Sequence, residues 1–447
     1  MLHKFYKNGL HIVYDNVSGV LFETDALAYD ILEYINTDND EKITEIFKNK
    51  HDLSEIKETI YELRNLINEK LIFEEEKNYK QGENFGIIKA LCLNIAHDCD
   101  LRCKYCFASQ GSYNSKRALM SYDVAKASID FLITNSGKRH NLEIDFFGGE
   151  PLLNFEVVKQ TVLYAKQREK ESGKKFKFTL TTNALKLDAE TGDFLNEHMD
   201  NVVLSLDGRA EIHDAMRPLK NGQASYDIII KNILDFVKKR KDKEYYVRGT
   251  YTALNRDFSQ DVIHMSNLGI KNISVEPVSS DVRFKYSLAD TDMDALDSEY
   301  DKIAQEYIKR KGKDNEFLFF HFNIDINSSP CVYKKISGCG AGTDYMAVSP
   351  DGKLYPCHQF DSIEKFCIGN VFDGIINKEI GQDFFATNIL TKEECKNCWA
   401  KYHCGGGCYA AGYKANNDIH KNDNLACEML KKRLEYALMI KVIQSKS

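Results

Sequence analysis

The chain is poor in the residues that mark extended, membrane or nucleic-acid-binding proteins. Six of its 447 residues are proline and one is tryptophan. With no low-complexity tract or internal repeat either, Pro-rich spacers and repeat arrays are excluded. No apolar run approaches the roughly 18–20 residues of a membrane span. Positive charge is not in excess: 60 Lys and Arg stand against 67 Asp and Glu, a net of −7. Nucleic-acid binding through bulk charge is therefore not expected. Met1 to Phe5 lacks the regions of a signal peptide, so a cytoplasmic location is expected. What remains is a globular composition, 43% hydrophobic and 28% charged, with length for about three domains.

Against this background the chain has 13 cysteines. A disulfide framework is not expected in the cytoplasm, which leaves metal or cluster ligation as the leading explanation. Cys92, Cys99, Cys103 and Cys106 sit together. Nine more lie between Cys331 and Cys427, and the 224 residues between Cys106 and Cys331 contain none. Thiols used only for packing would be spread more evenly.

Residues 1–80 read as one small unit: β-rich runs at 4–6, 11–14 and 20–22, then helical spacing of Ala28, Ile31, Leu32 and Ile35 and of Ile56, Ile60, Leu63 and Ile67. Asp25 and Ser54 are the expected N-caps. Strands followed by about three helices suggest a winged-helix-like module. Its 10 basic and 17 acidic residues carry the whole net charge. That is either a solvated acidic face or a surface for a basic peptide. Residues 77–86 read as a linker. From Ile87, strands at 88–95, 142–147, 176–182, 201–206, 245–252 and 271–276 alternate with helices at 121–134, 154–172, 188–198, 224–240 and 257–267, with a further helix from Asp292 to Lys311. Repeated β-α units predict a parallel sheet or barrel with its chemistry at the C-terminal strand ends. After Phe322 the pattern breaks into short turns rich in Gly and Cys, of a kind that metal centres can hold without a large apolar core.

Cys99, Cys103 and Cys106 form C-x3-C-x2-C directly after the strand 88–95. Three thiolates fall one short of a closed zinc site and suit a 4Fe–4S cube with one iron open to a chelating ligand. A zinc site with a distant fourth ligand is the competing reading. Gly148-Gly149-Glu150-Pro151, Thr181-Thr182-Asn183 and Ser205-Leu206-Asp207 end the next three strands, and Arg217 follows His213-Asp214. Each is weak alone; their order at successive strand ends is specific. Farther on, Cys339 is followed by Gly352 and Cys357, then by Cys395, Cys398, Cys404 and Cys408 at spacings x2, x5 and x3, and last by Cys427. C-x2-C-x5-C alone would fit a zinc ribbon equally well.

In these motifs the chain resembles the radical S-adenosylmethionine (SAM) enzymes, and in its C-terminal pattern their seven-cysteine SPASM extension. The first resemblance covers about 88–280 and implies a partial (β/α)6 barrel. Cys99, Cys103 and Cys106 would be the catalytic cluster ligands. SAM contacts would come from Tyr105, Phe107, Gly148, Gly149, Glu150, Asn183, Ser205, Asp207 and Arg217. Of these, Glu150 would accept from the methionyl amino group, the two glycines would let the backbone approach the ligand, and Arg217 would pair the carboxylate. Ala184 stands where the family usually has Gly. The SPASM resemblance implies two auxiliary 4Fe–4S clusters, a distal one on Cys395, Cys398, Cys404 and Cys427 and a proximal one on Cys339, Cys357 and Cys408. Sulfatase-maturing members carry a further Cys where this chain has Tyr345. An open proximal iron is thus expected, unless Cys331 or Cys367 reaches it. Such an iron could bind and deprotonate a substrate thiol.

As a whole the chain resembles the SCIFF (six-cysteine) peptide maturases among the sactipeptide and ranthipeptide synthases. That implies an α/β fold in four parts: a RiPP-recognition-element-like leader-binding domain at 1–80, the barrel at 87–290, a bridging region at 291–335 and the SPASM domain at 336–447. The implied cofactors are SAM and three 4Fe–4S clusters. The implied reaction joins a Cys sulfur to a carbon of an acceptor residue within a small Cys-rich precursor peptide, bound through its leader by strand addition. A flavodoxin or ferredoxin would supply electrons in the cytoplasm of an anaerobic bacterium; nucleic acid and membrane are not expected partners. Sulfatase-type formylglycine formation, carbon–carbon crosslinking and a non-catalytic peptide-binding scaffold are the alternatives. His97, His358 and His403, each near a cysteine, read as supporting residues, and Trp399 as packing on the distal cluster.

Overall fold

A computed structural model describes residues 1–76, 79, 81, 85–280, 283–326 and 332–446. Most of the expected linker at 77–86 and Cys331 lie outside these residues. Strands β1 (Leu2–Lys7), β2 (Leu10–Asp15) and β3 (Leu21–Thr24) form an antiparallel sheet in that order. Asn8 and Gly9, both at positive φ, make the tight turn between the first two; this Asn-Gly pair is a hairpin signal in its own right. Helices α1 (Ala26–Ile31), α2 (Asp40–Phe47) and α3 (Leu53–Asn68) follow. They close over Val13, Ile31, Ile43 and Ile56, none of which is exposed. Asp25 caps α1 by accepting from Ala28 N–H. The cap position of α3 is Asp52 rather than Ser54.

Next come β4 (Ala90–Ala96), α4 (Tyr122–Asn135), β5 (Asn141–Gly148), α5 (Phe155–Ser172), β6 (Lys175–Thr182), α6 (Ala189–His198), β7 (Asn201–Ser205), α7 (Ala210–Met216), α8 (Tyr226–Arg240), β8 (Glu244–Tyr251), α9 (Ser259–Asn267), β9 (Asn272–Pro277) and α10 (Met293–Arg310). Strands β4 to β9 pair parallel in sequential order. This is the α/β arrangement the alternation predicted. All seven residues of β4 are buried, as a parallel strand covered on both faces requires. The next strands alternate, with Ile144, Phe146, Phe178, Leu180, Val202 and Leu204 unexposed against the helices. Each such side chain contributes roughly 1.5–3 kcal/mol of burial.

The C-terminal region departs from the expected run of short turns. Strand β10 (Leu318–Phe319) pairs with β9, and β11 (Tyr345–Val348) pairs parallel with β4, Tyr345 opposite Ala90 and Val348 opposite Leu93. Helix α11 (Val332–Ser337) lies between them. Strands β12 (Lys353–Tyr355), β13 (Gly369–Asn370) and β14 (Gly374–Ile375) continue antiparallel, so one 11-stranded sheet runs through barrel and Cys-rich region. Helices α12 (Lys378–Ala386), α13 (Glu393–Lys396), α14 (Lys401–Cys404), α15 (Tyr409–Asn416) and the 22-residue α16 (Asn424–Ser445) complete the chain. Leu438, Met439 and Ile440 of α16 join the main apolar core. No helix among the described residues is long and apolar enough to cross a membrane.

Candidate active site

The C-terminal ends of β4 to β9 converge on a cavity of about 250 Å³. The Cys99–Cys106 loop forms one end of it. Arg102 N–H and Lys104 N–H donate to the carbonyls of Pro218 and Met216 at 2.8 and 2.9 Å, and Arg102 Nη1 donates back to Cys99 O at 2.7 Å. The loop is thus pinned to the segment ending α7. Burial and the Glu150 charge push the Cys99 thiol well above its usual range. Burial lifts Cys103 to about 11, partly countered by Arg217. Cys103 raises Cys99, and Cys106 raises Cys103, the mark of thiols close in space. Thiols held this way are protonated until a metal displaces the proton.

Gly148 and Gly149 serve the protein's own backbone first. A Cβ at Gly149 would lie 2.0 Å from Asp98 O, and one at Gly148, where φ is +126°, 2.5 Å from Ala96 O. The two glycines bring β5 against the root of the cysteine loop as well as lining the cavity. Glu150, 1% exposed, accepts from Thr182 Oγ1 and Asn183 N–H, both at 2.7 Å, and from Leu152 N–H at 3.0 Å. Burial first and Asp100 second raise its carboxyl to about 7. Asn183 Nδ2 donates to Asp100 Oδ1 at 2.7 Å, and Asp100 Oδ2 is buried without a partner. Ala184 supplies the turn expected of Gly by taking φ +63°.

Tyr105, Asp207 and Arg217 form one buried network. Tyr105 OH donates to Asp207 Oδ2 at 2.6 Å and accepts from Arg217 Nη1 at 3.0 Å, and Arg217 lies 3.8 Å from Asp207. Asp207 is unexposed and also accepts from Thr250 N–H. Its role here is to hold Tyr105 and Arg217, and the cavity wall is made by Ser205 and Arg217 instead. Arg217 Nε is buried without a partner. The cavity therefore combines the buried Glu150 carboxylate, which bonds Thr182, Asn183 and Leu152 but no cation, with a guanidinium that has an unused N–H. The ammonium and carboxylate of SAM fit that set.

Of the remaining lining, only His358 was singled out from sequence. This lining holds Arg248 and Glu276, from β8 and β9, and His358, Gln359 and Lys414 from the Cys-rich region. Lys414 Nζ donates to Gln359 Oε1 at 2.7 Å and stands 5.5 Å from the centre of the Phe107 ring. Its charge reaches Cys106, Cys357 and Cys408. Phe107 packs near Phe147 and His358. Burial, Arg248 and Lys414 lower His358 to about 4. The available signal was a charged residue late in a barrel strand, on the face opposite buried Val247 and Tyr251.

Cys339, Cys357 and Cys408 form a second trio: burial first, and Cys408 and Cys339 with it, push Cys357 up to about 12. Cys395, Cys398, Cys404 and Cys427 form a quartet in the same way. Asn422 Nδ2 donates to Cys395 Sγ at 3.2 Å and Gly407 N–H to Cys404 Sγ at 3.1 Å. Buried Lys392 places a cation beside three of these thiols. Tyr345 has its hydroxyl 3.2 Å from His358 Nδ1 and also bonds Cys92. Cys367 stands apart, donating to Gly369 O. His97 bonds Asp361 at 2.9 Å, and His403 bonds Tyr14 at 2.7 Å. Among the described residues no three His, Cys, Asp or Glu side chains converge as a single metal ion requires. All-sulfur trios and a quartet suit cubane clusters.

Comparison with known proteins agrees. Residues 93–268 match the radical SAM superfamily and 339–399 the SPASM iron-sulfur cluster-binding domain. The chain is 24% identical over 458 residues to the radical SAM cyclopropyl synthase TigE of Paramaledivibacter caminithermalis, covering 94% of this chain and 90% of that protein. It is 24% identical over 363 residues to a cysteine-type anaerobic sulfatase-maturating enzyme of Clostridium novyi, covering 76% and 92%. The structure of native anSMEcpe with bound AdoMet and Cp18Cys peptide superposes with a TM-score of 0.66 at 21% identity, over 80% of this chain and 98% of that one.

Proposed function

We propose that this chain, a SAM-binding maturase with a radical SAM domain and an iron–sulfur SPASM domain, forms thioether crosslinks in a small Cys-rich precursor peptide. The observation that carries the reading is a shared cavity. Cys99, Cys103 and Cys106 line it together with His358, Gln359 and Lys414, and Lys414 also adjoins Cys357 and Cys408 of the second trio. When bound, SAM and its cluster supply a carbon-centred radical, and the proximal cluster supplies a Lewis-acidic iron. The protein's part is placement. Glu150 takes the ammonium of SAM and Arg217 its carboxylate, while Tyr105 and Asp207 hold Arg217 in position. Tyr345, tied to Cys92 and His358, takes the sequence position at which the resemblance to sulfatase-maturing members would put a further Cys, and on this reading the fourth proximal position is left for the peptide's own sulfur. Lys414 sets a cation beside that anion. Per crosslink the peptide loses two hydrogens. One passes from carbon into 5′-deoxyadenosine, the other leaves the thiol as a proton, and the electron used to cleave SAM is recovered.

The acidic N-terminal unit suits the leader of the precursor, and a flavodoxin- or ferredoxin-like donor suits buried clusters. The cytoplasm of an anaerobic bacterium suits thiolate-bound iron. The test is anaerobic turnover with SAM, reductant and the Cys-rich peptide encoded beside the gene. Expected are 5′-deoxyadenosine, a mass loss of two hydrogens and one alkylatable thiol fewer per crosslink. SAM cleavage without that mass loss overturns the reading. A carbonyl product in its place would mark formylglycine formation.

A further inference from the structure

The loop between two thiols of the quartet, Cys398 and Cys404, is gripped along its length by the N-terminal unit. His3 of β1 lies flat on Trp399, with ring centroids 3.7 Å and planes 4° apart. Asn16 Nδ2 donates to Trp399 O at 2.9 Å. Tyr14 OH on β2 is 2.7 Å from His403 Nε2. Glu76 accepts from Tyr402 OH and pairs with Lys401 Nζ at 2.6 Å. Helix α16 carries Cys427 in its first turn, and the same strand β1 holds its middle: His3 Nε2 is 3.1 Å from Glu435 Oε1, and Lys7 Nζ donates to Tyr436 OH at 3.1 Å. Tyr14 and Asn16 are buried by this contact region, at 3% and 4% exposure.

We propose that β1 and β2 are the outer wall of the distal cluster site, with His3 and Tyr14 as positioning residues that keep water from the Cys398–Cys404 loop and so set the reduction potential of the cluster there. This rests on the proposed reading of the quartet as a 4Fe–4S site. The physics is electrostatic. A four-thiolate cube gains negative charge on reduction, and water stabilises the more charged state, so solvent exposure raises the potential. The N-terminal unit, proposed above to take the leader, would thereby act on the electron path as well, without contributing a ligand.

The experiment uses the full-length protein, reconstituted anaerobically, with iron counting and an EPR-monitored redox titration. Cys395→Ala identifies the distal signal. If wild type holds about twelve iron and Cys395→Ala loses about four, the quartet reading stands; if removing Cys395 changes neither iron nor signal, that reading fails by itself. Given a distal signal, His3→Ala with Tyr14→Phe is expected to raise its midpoint. A three- to tenfold shift in the ratio of reduced to oxidised cluster corresponds to about 30–60 mV at 59 mV per decade. His3→Phe keeps a ring on Trp399 and is expected to restore the midpoint, with the other two clusters unmoved throughout. A distal midpoint equal to wild type in the double variant overturns the proposal, as does a shift common to all three clusters. Should the double variant not fold, Tyr14→Phe alone, which removes only a hydroxyl, gives the same readout.

Discussion

The two cysteine regions are built on opposite plans. At the SAM end, three thiols sit on one loop after β4, and the groups around them arrive from successive parallel strands, each placed by a local β-α repeat. At the SPASM end, the thiols come from short helices and turns spread from 339 to 427, and their scaffold is non-local: β11 pairs with β4 some 250 residues away in sequence. The barrel positions its site by strand register. The Cys-rich region borrows the edge of the barrel's sheet and the wall of the N-terminal unit. Damage to the first site should therefore stop all chemistry, whereas damage to the second should separate SAM cleavage from product formation.

The widest gap between the regions is tested by removing thiols. Replacing Cys99, Cys103 and Cys106 with Ala should abolish 5′-deoxyadenosine formation and remove about four iron per chain. Cys408→Ala should leave SAM cleavage in place and abolish crosslinking. Equal loss of SAM cleavage in both variants would erase the distinction. Gly149→Ala belongs with the barrel set. Its Cβ would meet Asp98 O at 2.0 Å, backbone against backbone, and a cost above about 3 kcal/mol is expected in denaturant unfolding.

Tyr345→Cys sharpens the comparison from the other side. It supplies a thiol at the position next to His358 and Cys92. Crosslinking should fall at least about tenfold, roughly 1.4 kcal/mol in barrier, while SAM cleavage persists. Unchanged crosslinking would show that no open proximal position is used.

A smaller effect separates the regions by pH. Glu150 is held near 7 by burial and by Asp100, so it is an anion above that pH and neutral below it. Its attraction for the SAM ammonium should be complete above about 7 and lost as pH falls through it. Affinity should drop by up to about tenfold per pH unit below the shifted value. Isothermal titration at pH 6 and pH 8 measures this. Glu150→Gln should bind weakly and without that pH dependence.

The same contrast explains what could be read from sequence. Barrel strands and helices fall within a few residues of their expected ends, because alternation and 3–4 spacing are local signals and each motif sits at a strand end. The spacing showed that the cysteines cluster, and the SPASM resemblance, not the spacing, implied their division into a trio and a quartet. Strands β11 to β14 were not, since two to four residues carry no period and their partners lie far away in sequence. Helix α16 was missed because it buries residues all round, Leu438, Met439 and Ile440 in succession, and so shows no amphipathic stripe. Lys414 and Arg248 look like ordinary surface charges until the fold brings them to one cavity.

Ala184 stands where the resemblance led one to expect Gly, and there the smallest effect is expected. Its φ of +63° is a left-handed conformation that costs a non-glycine residue about 1–2 kcal/mol. Ala184→Gly relieves that strain. Against this, the unfolded chain gains freedom worth roughly 0.4–1 kcal/mol, and a methyl that is fully buried here gives up about 0.8 kcal/mol of burial. The terms nearly cancel, so stability should change by less than about 1 kcal/mol in denaturant unfolding, with SAM affinity unaltered because Asn183 keeps its bonds to Glu150 and Asp100. A gain well beyond that would mean that the turn stores more strain than a left-handed residue ordinarily carries. In that case a SAM titration of Ala184→Gly shows whether binding draws on that strain, weaker binding meaning that it does.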